Sequence, residues 1–466
     1  MRIEDIADPN SKEFDDIQVF NVDNSNFLPI TPAIFKKAAT KLFEVENNWP
    51  FLQLLNHTYK YCRKCNNCSD RCPIFIESGR KERYRPSYRA EVLRRMLEGK
   101  VEINPTSLRR LAELAYRCNI CRRCAQACMI GADNGLITRE IRKLFSQEWG
   151  IAPDALHKDG TMKQLKRGSS TGMNPDGFKH TVAYIESQIP EYFGRPLKIP
   201  VDVEGAEYLF VNNAGEYISW PQNLLAYTVL FALFGVSWTL SSELMAYDAV
   251  NYGVWYDDFQ FLRIAMKHAG NAASLKTKKV LIGECGHAHK CTIALIDRLP
   301  IGYKRESVLL LLEEKVRQHR NLFNSFANPY PITLHDPCNI SRMLGIYEPQ
   351  RNVLKQVVRD FREMVPNRAD NYCCGGGSGL AIMRDAPIKK WRTEVAGAKK
   401  MKQILEVFSG VPNEKIKYVC APCSNCKAQL RDLLEDNAQN IRYAGLAEVV
   451  CNALEGLKKP LLGGEL

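Results

Sequence analysis

The sequence predicts a multi-domain α+β protein: a helical, cysteine-rich block followed by two related α/β halves. Three observations predict it. Two four-cysteine runs, Cys62 to Cys72 and Cys118 to Cys128, sit among apolar residues at helical spacing in the first third. From about residue 201, strand-like and helix-like patterns alternate, which argues for parallel α/β layers. Each half then ends a strand pattern in a cysteine-bearing loop, GECGH at Cys285 and CAPCSNC at Cys420.

Residues 1–50 carry short amphipathic pieces around Pro29 and Pro32 and read as an N-terminal arm. Residues 51–147 form the helical block, through LLNHTYKYC, YRAEVLRRMLEGK and SLRRLAELAYRC. Residues 148–200, with KRGSSTGMNPDG and further prolines, read as a linker or wrapping segment. The halves are 201–315 and 316–466. Strands are expected at EYLFVNN, VSWTLS, KKVLIGE, PITLHD and KIKYVCA. Helices are expected at RESVLLLLEEKVRQHR, QRNVLKQVVRDF, KKWRTEVAGAKKMKQILEVF and NIRYAGLAEVVCNAL. Gln222 to Ser242 has no charged residue and approaches the length of a minimal membrane-spanning helix. Gly235 interrupts it, and Ser237, Thr239, Ser241 and Ser242 make its end polar, so it reads as a buried helix inside a βαβ unit.

The 466 residues, 45% hydrophobic and 25% charged, suffice for several packed domains. Formal net charge is +12, which suits acidic partners or an anionic surface, and no nucleic-acid recognition motif accompanies it. Seventeen cysteines, an odd number, argue against a purely disulfide framework. The start, MRIEDIADPNSKEF, lacks a basic region followed by an apolar one, so a secretory signal is not expected. Clustered cysteine then points to metal binding.

Cys62, Cys65, Cys68 and Cys72 follow C-x2-C-x2-C-x3-C, and so do Cys118, Cys121, Cys124 and Cys128. Three thiolates at this spacing wrap a loop around one face of a [4Fe–4S] cubane. In two-cluster ferredoxins the fourth cysteine ligates the other cluster. By that rule one cluster takes Cys62, Cys65, Cys68 and Cys128, and the other takes Cys118, Cys121, Cys124 and Cys72. The exchange would tie both runs into one fold. Zinc is the competing reading, but its sites use separated cysteine pairs. Met129 stands where proline is usual; that position shapes the turn and is not a ligand. Arg63, Lys64, Arg71, Arg80, Lys81, Arg83, Arg85, Arg89, Arg117, Arg122 and Arg123 surround the runs. They read either as cations that raise the potential of an anionic cluster and attract an acidic redox partner, or as a solvated basic face.

The second half holds Cys338 in LHDPCN, Cys373-Cys374 in YCCGGGSG, and Cys423-Ser-Asn-Cys426. Adjacent side chains diverge, so a tandem pair suits a site with a bridging thiolate or an irregular cluster. Gly375, Gly376, Gly377 and Gly379 let backbone approach a cofactor closely. Cys423 and Cys426 lie between a strand and a helix, where the helix N-terminus favours thiolate and an anionic cluster. This pattern, C-x34-CC-x48-C-x2-C with glycine after the tandem pair, resembles the CCG domain of heterodisulfide reductase-like proteins. Cys423-Ser-Asn-Cys426-Lys-Ala-Gln-Leu430 matches the shape of that family's terminal motif; the spacing to it is longer than usual, which leaves Cys420 open as a substitute ligand. The order of two ferredoxin runs and then CCG modules resembles the D subunit of membrane-bound heterodisulfide reductase. It resembles more closely the K subunit of the membrane complex of dissimilatory sulfite reduction, or its relative in the transmembrane redox complexes of sulfate reducers.

The resemblance covers about residues 50–455 and implies a helical two-cluster ferredoxin domain followed by tandem α/β CCG modules. It implies that Cys338, Cys373, Cys374, Cys423 and Cys426 hold a noncubane [4Fe–4S] cluster that cleaves a disulfide. The first CCG half is degenerate, with Cys285, His287 and Cys291 but no tandem pair, so one noncubane cluster is expected. Cys285, His287, Cys291, His335 and Asp336 are candidates to line the site. For the histidines, a structural role and proton transfer (above all at His335) both stand. Cys451, on an amphipathic helix, reads as core. The implied activity is reduction or formation of a disulfide or trisulfide on a small sulfur-carrier protein with C-terminal cysteines. The iron would hold the half-reduced thiolate and prevent release of a thiyl radical. The implied partners are an integral-membrane cytochrome b-type subunit linked to quinol and other iron–sulfur or cytochrome subunits. The implied location is the inner face of the cell membrane, by peripheral attachment. The alternative is an electron-wiring subunit of a flavin-dependent 2-hydroxy acid or glycerol-3-phosphate dehydrogenase. GGGSG does not form a dinucleotide fingerprint, which fits both.

Overall fold

The structure, a computed structural model, describes residues 2–48, 51–63, 65–243, 247–298, 304–435 and 440–463. Two compact units divide the chain. The first comprises Met1–Lys158, Tyr252–Phe261 and Tyr372–Lys400; the second comprises Asp159–Asn251, Leu262–Asn371 and Met401–Leu466.

The first unit is helical. Its helices include α1 (Tyr88–Leu97), α2 (Pro105–Tyr116) and α3 (Asn134–Trp149). Local chemistry sets their ends. Asn104 accepts from the Ser107 amide at 2.9 Å while Ser107 Oγ accepts from the Asn104 amide at 3.1 Å, and Pro105 occupies the first helical position. Asp133 accepts from the Leu136 amide at 3.0 Å to open α3, and Gly150 closes it with φ +65°. The N-terminal arm is part of this core. Ile6, Phe14, Ile17, Phe27 and Phe35 are buried. Arg110 donates to the Asp8 and Ser11 carbonyls at 2.6 and 2.8 Å, and Arg117 to those of Asp16 and Gln18 at 2.8 and 2.9 Å.

The second unit holds two four-stranded parallel sheets. The first is built from β1 (Tyr208–Val211), β2 (Trp238–Thr239), β3 (Lys279–Ile282) and β4 (Lys304–Ser307), in the order β2-β1-β3-β4. The other is built from β5 (Pro331–Leu334), β6 (Asp360–Arg362), β7 (Lys417–Cys420) and β8 (Ile441–Ala444), in the order β6-β5-β7-β8. The two orders are the same permutation, so the weak internal repeat of the sequence is a repeat of topology. In both sheets the order reverses between the two central strands, and loops beyond the carboxyl ends of such strands form the crevice where α/β proteins place ligands.

The second unit's helices include α4 (Pro175–Phe193), α5 (Pro221–Phe234), α6 (Gly286–Arg298), α7 (Val308–Gln318), α8 (Glu348–Val357), α9 (Ser424–Leu434) and α10 (Leu446–Asn452). The charge-free stretch is α5, 14 residues long, followed by Gly235 at φ +63° and then β2. Leu224, Ala226, Tyr227, Val229 and Leu230 are all fully buried and residues 223–231 are buried without a break, so the middle turns of this helix meet core on every side. No helix among the described residues is long and apolar enough to cross a membrane.

Three strands lie where the sequence pattern reads as helix. β4 takes the start of RESVLLLLEEKVRQHR, β6 the end of QRNVLKQVVRDF, and β8 the start of NIRYAGLAEVVCNAL. These are the outer strands of their sheets, apart from β2. They carry charged, partly exposed residues, so they lack the apolar run that marks a central parallel strand. KKWRTEVAGAKKMKQILEVF is likewise three pieces, with a wide turn at Arg392–Ala396 between helical segments. Residues 148–200 include α4, 19 residues long, whose Phe178, Val182, Ile185 and Ile189 join the second unit's core.

Candidate metal centre

The two four-cysteine runs form curled loops in the first unit. Asn66, Ile120 and Arg122, each between consecutive cysteines of a run, have φ of +59°, +47° and +60°. Non-glycine residues in this region are strained and persist where a site demands them. None of the eight sulfurs is in a disulfide; seven of the residues are half-buried and Cys65 is exposed. Burial pushes the Cys62 thiol up, and the neighbouring Cys128 adds to this. Burial, with Cys62, Cys72 and Cys128 alongside, pushes Cys68 up to about 12. Cys72 is pushed up to about 12 by burial, with Cys121 and Cys118 as its charged neighbours. Cys124 is raised by burial, then by Asp133, Cys118, Cys121 and Cys72. Cys72 thus lies near Cys118, Cys121 and Cys124 of the other run, and Cys128 near Cys62 and Cys68. Thiolates so crowded need a cation between them. Amides also point at sulfur: Asn134 Nδ2 to Cys62 at 3.2 Å, the Ile120 N–H to Cys118 at 3.4 Å, and the Ala132 N–H to Cys128 at 3.3 Å. This donor set fits iron–sulfur clusters.

The arginines divide into two groups. Arg83, Arg85, Arg89, Arg117 and Arg123 are buried, so they do not form a solvated face. Arg123 donates to the Arg71 carbonyl at 2.6 Å. Arg122 pairs with the buried Asp133 at 2.5 Å. Arg63, Arg71, Arg80 and Lys81 are exposed, and Lys64 lies outside the described residues. Two arginines that the motif did not flag hold the runs directly. Arg94 donates to the Cys62 carbonyl at 2.7 Å, and Arg142 to the Cys118 carbonyl at 2.7 Å and the Ala115 carbonyl at 2.9 Å. The available signal was a basic residue in the buried phase of an apolar helix: Arg142 sits beside Ile141, Leu144 and Phe145.

The tandem-cysteine loop belongs to the first unit and is seated on the second run. Asn119 Nδ2 donates to the Gly375 carbonyl at 2.6 Å. Ser378 Oγ donates to the Cys118 carbonyl at 3.2 Å, and Arg142 reaches Ser378 Oγ at 3.3 Å. Two glycines permit this seat. Gly375 has φ +99°, and a Cβ there would lie 2.7 Å from the Gly397 nitrogen; a Cβ on Gly377 would lie 2.9 Å from the Asn119 carbonyl oxygen. Cys373 and Cys374 are buried, and the Gly375 amide donates to Cys373 Sγ at 3.4 Å.

The other predicted ligands are buried in the second unit: Cys338 on the loop after β5, Cys423 at the end of the loop after β7, and Cys426 in the first turn of α9. A His335 ring nitrogen is within 4.8 Å of the Cys426 sulfur, and the His335 amide extends the ladder to the Cys420 carbonyl at 2.8 Å. A hydrogen bond from Cys426, with backbone donors, holds the Cys423 thiol below its ordinary value. The network behind them is buried. Lys427 Nζ lies 2.6 Å from Glu216 Oε2, both side chains are fully buried, and Ser424 Oγ donates to Glu216 Oε1. Glu284 accepts from the Leu446 and Ala447 amides at 2.7 and 2.8 Å and from Tyr227 at 2.8 Å.

Some candidates have structural duties. Asp336 accepts from Arg351 at 2.8 and 2.6 Å and from the Arg368 amide at 2.7 Å. Burial pushes His287 down to about 3, so its ring is neutral at physiological pH. Cys291 donates to the Asn251 carbonyl at 3.4 Å. Cys420 and Cys451 lie in the apolar core, Cys420 with its thiol raised by burial.

Comparison with known proteins adds to this picture. A family model described as "4Fe-4S dicluster domain" matches residues 58–132, and the CCG "Cysteine-rich domain" matches residues 332–431. The "Hdr-like menaquinol oxidoreductase iron-sulfur subunit 2" of Archaeoglobus fulgidus is 25% identical over 457 residues, covering 84% of this chain and 79% of that protein. The D subunit of the "Dihydromethanophenazine:CoB--CoM heterodisulfide reductase" of Methanosarcina barkeri is 22% identical over 417 residues, 84% of this chain and 93% of that protein. The "Probable glycolate oxidase iron-sulfur subunit" of Bacillus subtilis is 30% identical over 86 residues, 18% of each chain. No solved structure matches.

Proposed function

We propose that this chain, a heterodisulfide reductase D-like CCG iron–sulfur protein and an oxidoreductase subunit, reduces or forms a disulfide or trisulfide on a small sulfur-carrier protein. Electrons would be exchanged with quinol through an integral-membrane cytochrome b-type partner, to which the chain attaches peripherally. Cys62, Cys65, Cys68 and Cys128 would hold one cubane cluster, and Cys118, Cys121, Cys124 and Cys72 the other. The CCG motif assigns Cys338, Cys373, Cys374, Cys423 and Cys426 to one noncubane cluster. When bound, these groups supply one-electron transfer and an iron at which a thiolate can rest. Reduction of one S–S bond takes up two electrons and two protons and yields two thiols.

The observation that carries this reading is the seat of the tandem-cysteine loop on the second ferredoxin run. Asn119, Arg142 and Ser378 fix that loop with hydrogen bonds and pre-organise it. Cys65 of the first run is exposed, and Met129, next to Cys128 of the second run, is 90% exposed, which leaves both open to an electron-transfer partner.

Cys374→Ala tests the catalytic assignment. Disulfide reduction should be lost while the ferredoxin-type signals persist; reduction at the full rate with those clusters intact would refute it. The second reading, a wiring subunit beside a flavoprotein, rests on the similarity to the glycolate oxidase protein. Oxidation of the wild-type protein with a thiol substrate separates the two readings: a new paramagnetic signal supports disulfide chemistry, and its absence favours wiring.

A further inference from the structure

The loop after β3 and the loop after β7 are counterparts in the repeated topology, and each carries a cysteine at the same place. The Cys285 amide donates to the Gly283 carbonyl at 2.7 Å, and the Cys423 amide to the Ala421 carbonyl at 2.7 Å. Each cysteine carbonyl then accepts from the first turn of the following helix, from His289 at 3.1 Å in α6 and from Lys427 at 2.9 Å in α9. The two loops also interlock. The Gly286 amide donates to Cys423 Sγ at 3.3 Å, and the Ser424 amide donates to the Glu284 carbonyl at 3.0 Å. A Cβ on Gly286 would stand 3.3 Å from Cys423 Sγ and 3.4 Å from Asn339 Cβ, the residue after Cys338.

The partners of the Cys285 sulfur distinguish it from an ordinary buried thiol. It accepts from the Ala288 amide at 3.3 Å, from Asn213 Nδ2 at 3.5 Å and from Asn425 Nδ2 at 4.0 Å. It donates to no acceptor among the described residues. Cys291, in the helix that follows, shows the opposite pattern and donates its S–H to a carbonyl. A sulfur that receives several N–H groups and gives none is oriented as an electron-pair donor, the role a metal ligand needs.

We infer that Cys285 donates its sulfur to the iron held by Cys423 and Cys426, so that the half without a tandem pair still contributes a ligand. This rests on the reading that the CCG motif binds iron, and it adds a donor from outside that motif.

The test uses the full chain, purified without oxygen and labelled with 57Fe, as wild type, Cys285→Ala, Cys285→Ser, Cys291→Ala and Cys423→Ala. Iron and acid-labile sulfide per chain are measured with Mössbauer spectra. Cys285→Ala should lose or shift the iron signal that is additional to the two cubanes, with the cubane signals retained. Cys285→Ser should keep that iron with altered hyperfine parameters, because an oxygen replaces a sulfur. Cys291→Ala should match wild type. If Cys285→Ser restores an unaltered wild-type spectrum, the residue only packs the loop and the inference is wrong. If Cys285→Ala does not fold, Cys285→Ser alone decides, on the same criterion. Loss of the additional iron in Cys423→Ala but in neither Cys285 variant overturns the inference and leaves the CCG reading standing. A wild-type protein without iron beyond its cubanes overturns both.

Discussion

Glu113 is a carboxylate with too few partners. It is fully buried on α2, Arg109 reaches one oxygen at 3.0 Å, and the other oxygen accepts from nothing among the described residues. Burial pushes its pKa up to about 7, more than Arg109 can offset. Between about 4.5 and 7 the unfolded chain has already lost this proton while the folded chain keeps it. Folding stability from this group is therefore complete below that window and falls as pH rises through it, by up to about 3 kcal/mol. Glu113→Gln should flatten that slope, so the variant gains on wild type between about pH 5.5 and 8. Urea unfolding of the holoprotein at both pH values checks this; parallel behaviour of the two proteins would refute it. The same physics makes the buried arginines positioning groups. A guanidinium that stays charged at 2% exposure or less, as Arg117 and Arg142 do, must spend its donors on carbonyls, and those carbonyls belong to the N-terminal arm and the cysteine runs.

At the scale of elements, α4 shows how polar composition can conceal a core helix. Its N-cap is Asn174, which accepts from the Gly177 amide at 2.8 Å, and Gly194 ends it with φ +82°. Between them only one stripe is apolar, and Phe178 on that stripe stacks on Tyr247 with ring centroids 4.8 Å apart. Ile185→Ala should cost about 3 kcal/mol, because Ile185 is 1% exposed and truncation leaves a cavity. A change under about 0.5 kcal/mol in unfolding free energy, typical of surface sites, would mean that the segment is merely a wrap.

For the whole molecule, the two units depend on different forces. Helices beside the cysteines are short: Pro73–Glu77 has five residues and Arg123–Gln126 four, far below what an isolated helix needs. Their order depends on whatever joins the thiols. The second unit instead has a continuous apolar core across both sheets, including Phe210, Leu281, Ile332 and Tyr418. Removing iron with a chelator under reducing conditions should therefore loosen residues 51–147 first. Limited proteolysis with mass spectrometry should find early cuts there and late cuts in β1 to β8. Equal protection of residues 51–147 with and without iron would show that metal does not organise that block.

What the sequence by itself determined was the chemistry that short spacing controls. Four cysteines within eleven positions are brought to one place by chain connectivity, and the family models match residues 58–132 and 332–431 around those motifs. The central strands and the buried α5 were equally legible, since each is a continuous apolar run with turn residues at its ends. Tertiary structure alone decided which distant groups meet. Asn119 on Gly375, Arg94 on Cys62, Arg351 on Asp336 and Gly286 on Cys423 each join residues from separate segments. Outer strands such as β4 and β8 also became visible only there, because a charged strand is held by its neighbour's backbone and its own side chains do not announce it. Local periodicity records what a segment buries; it holds no record of the partner it is buried against.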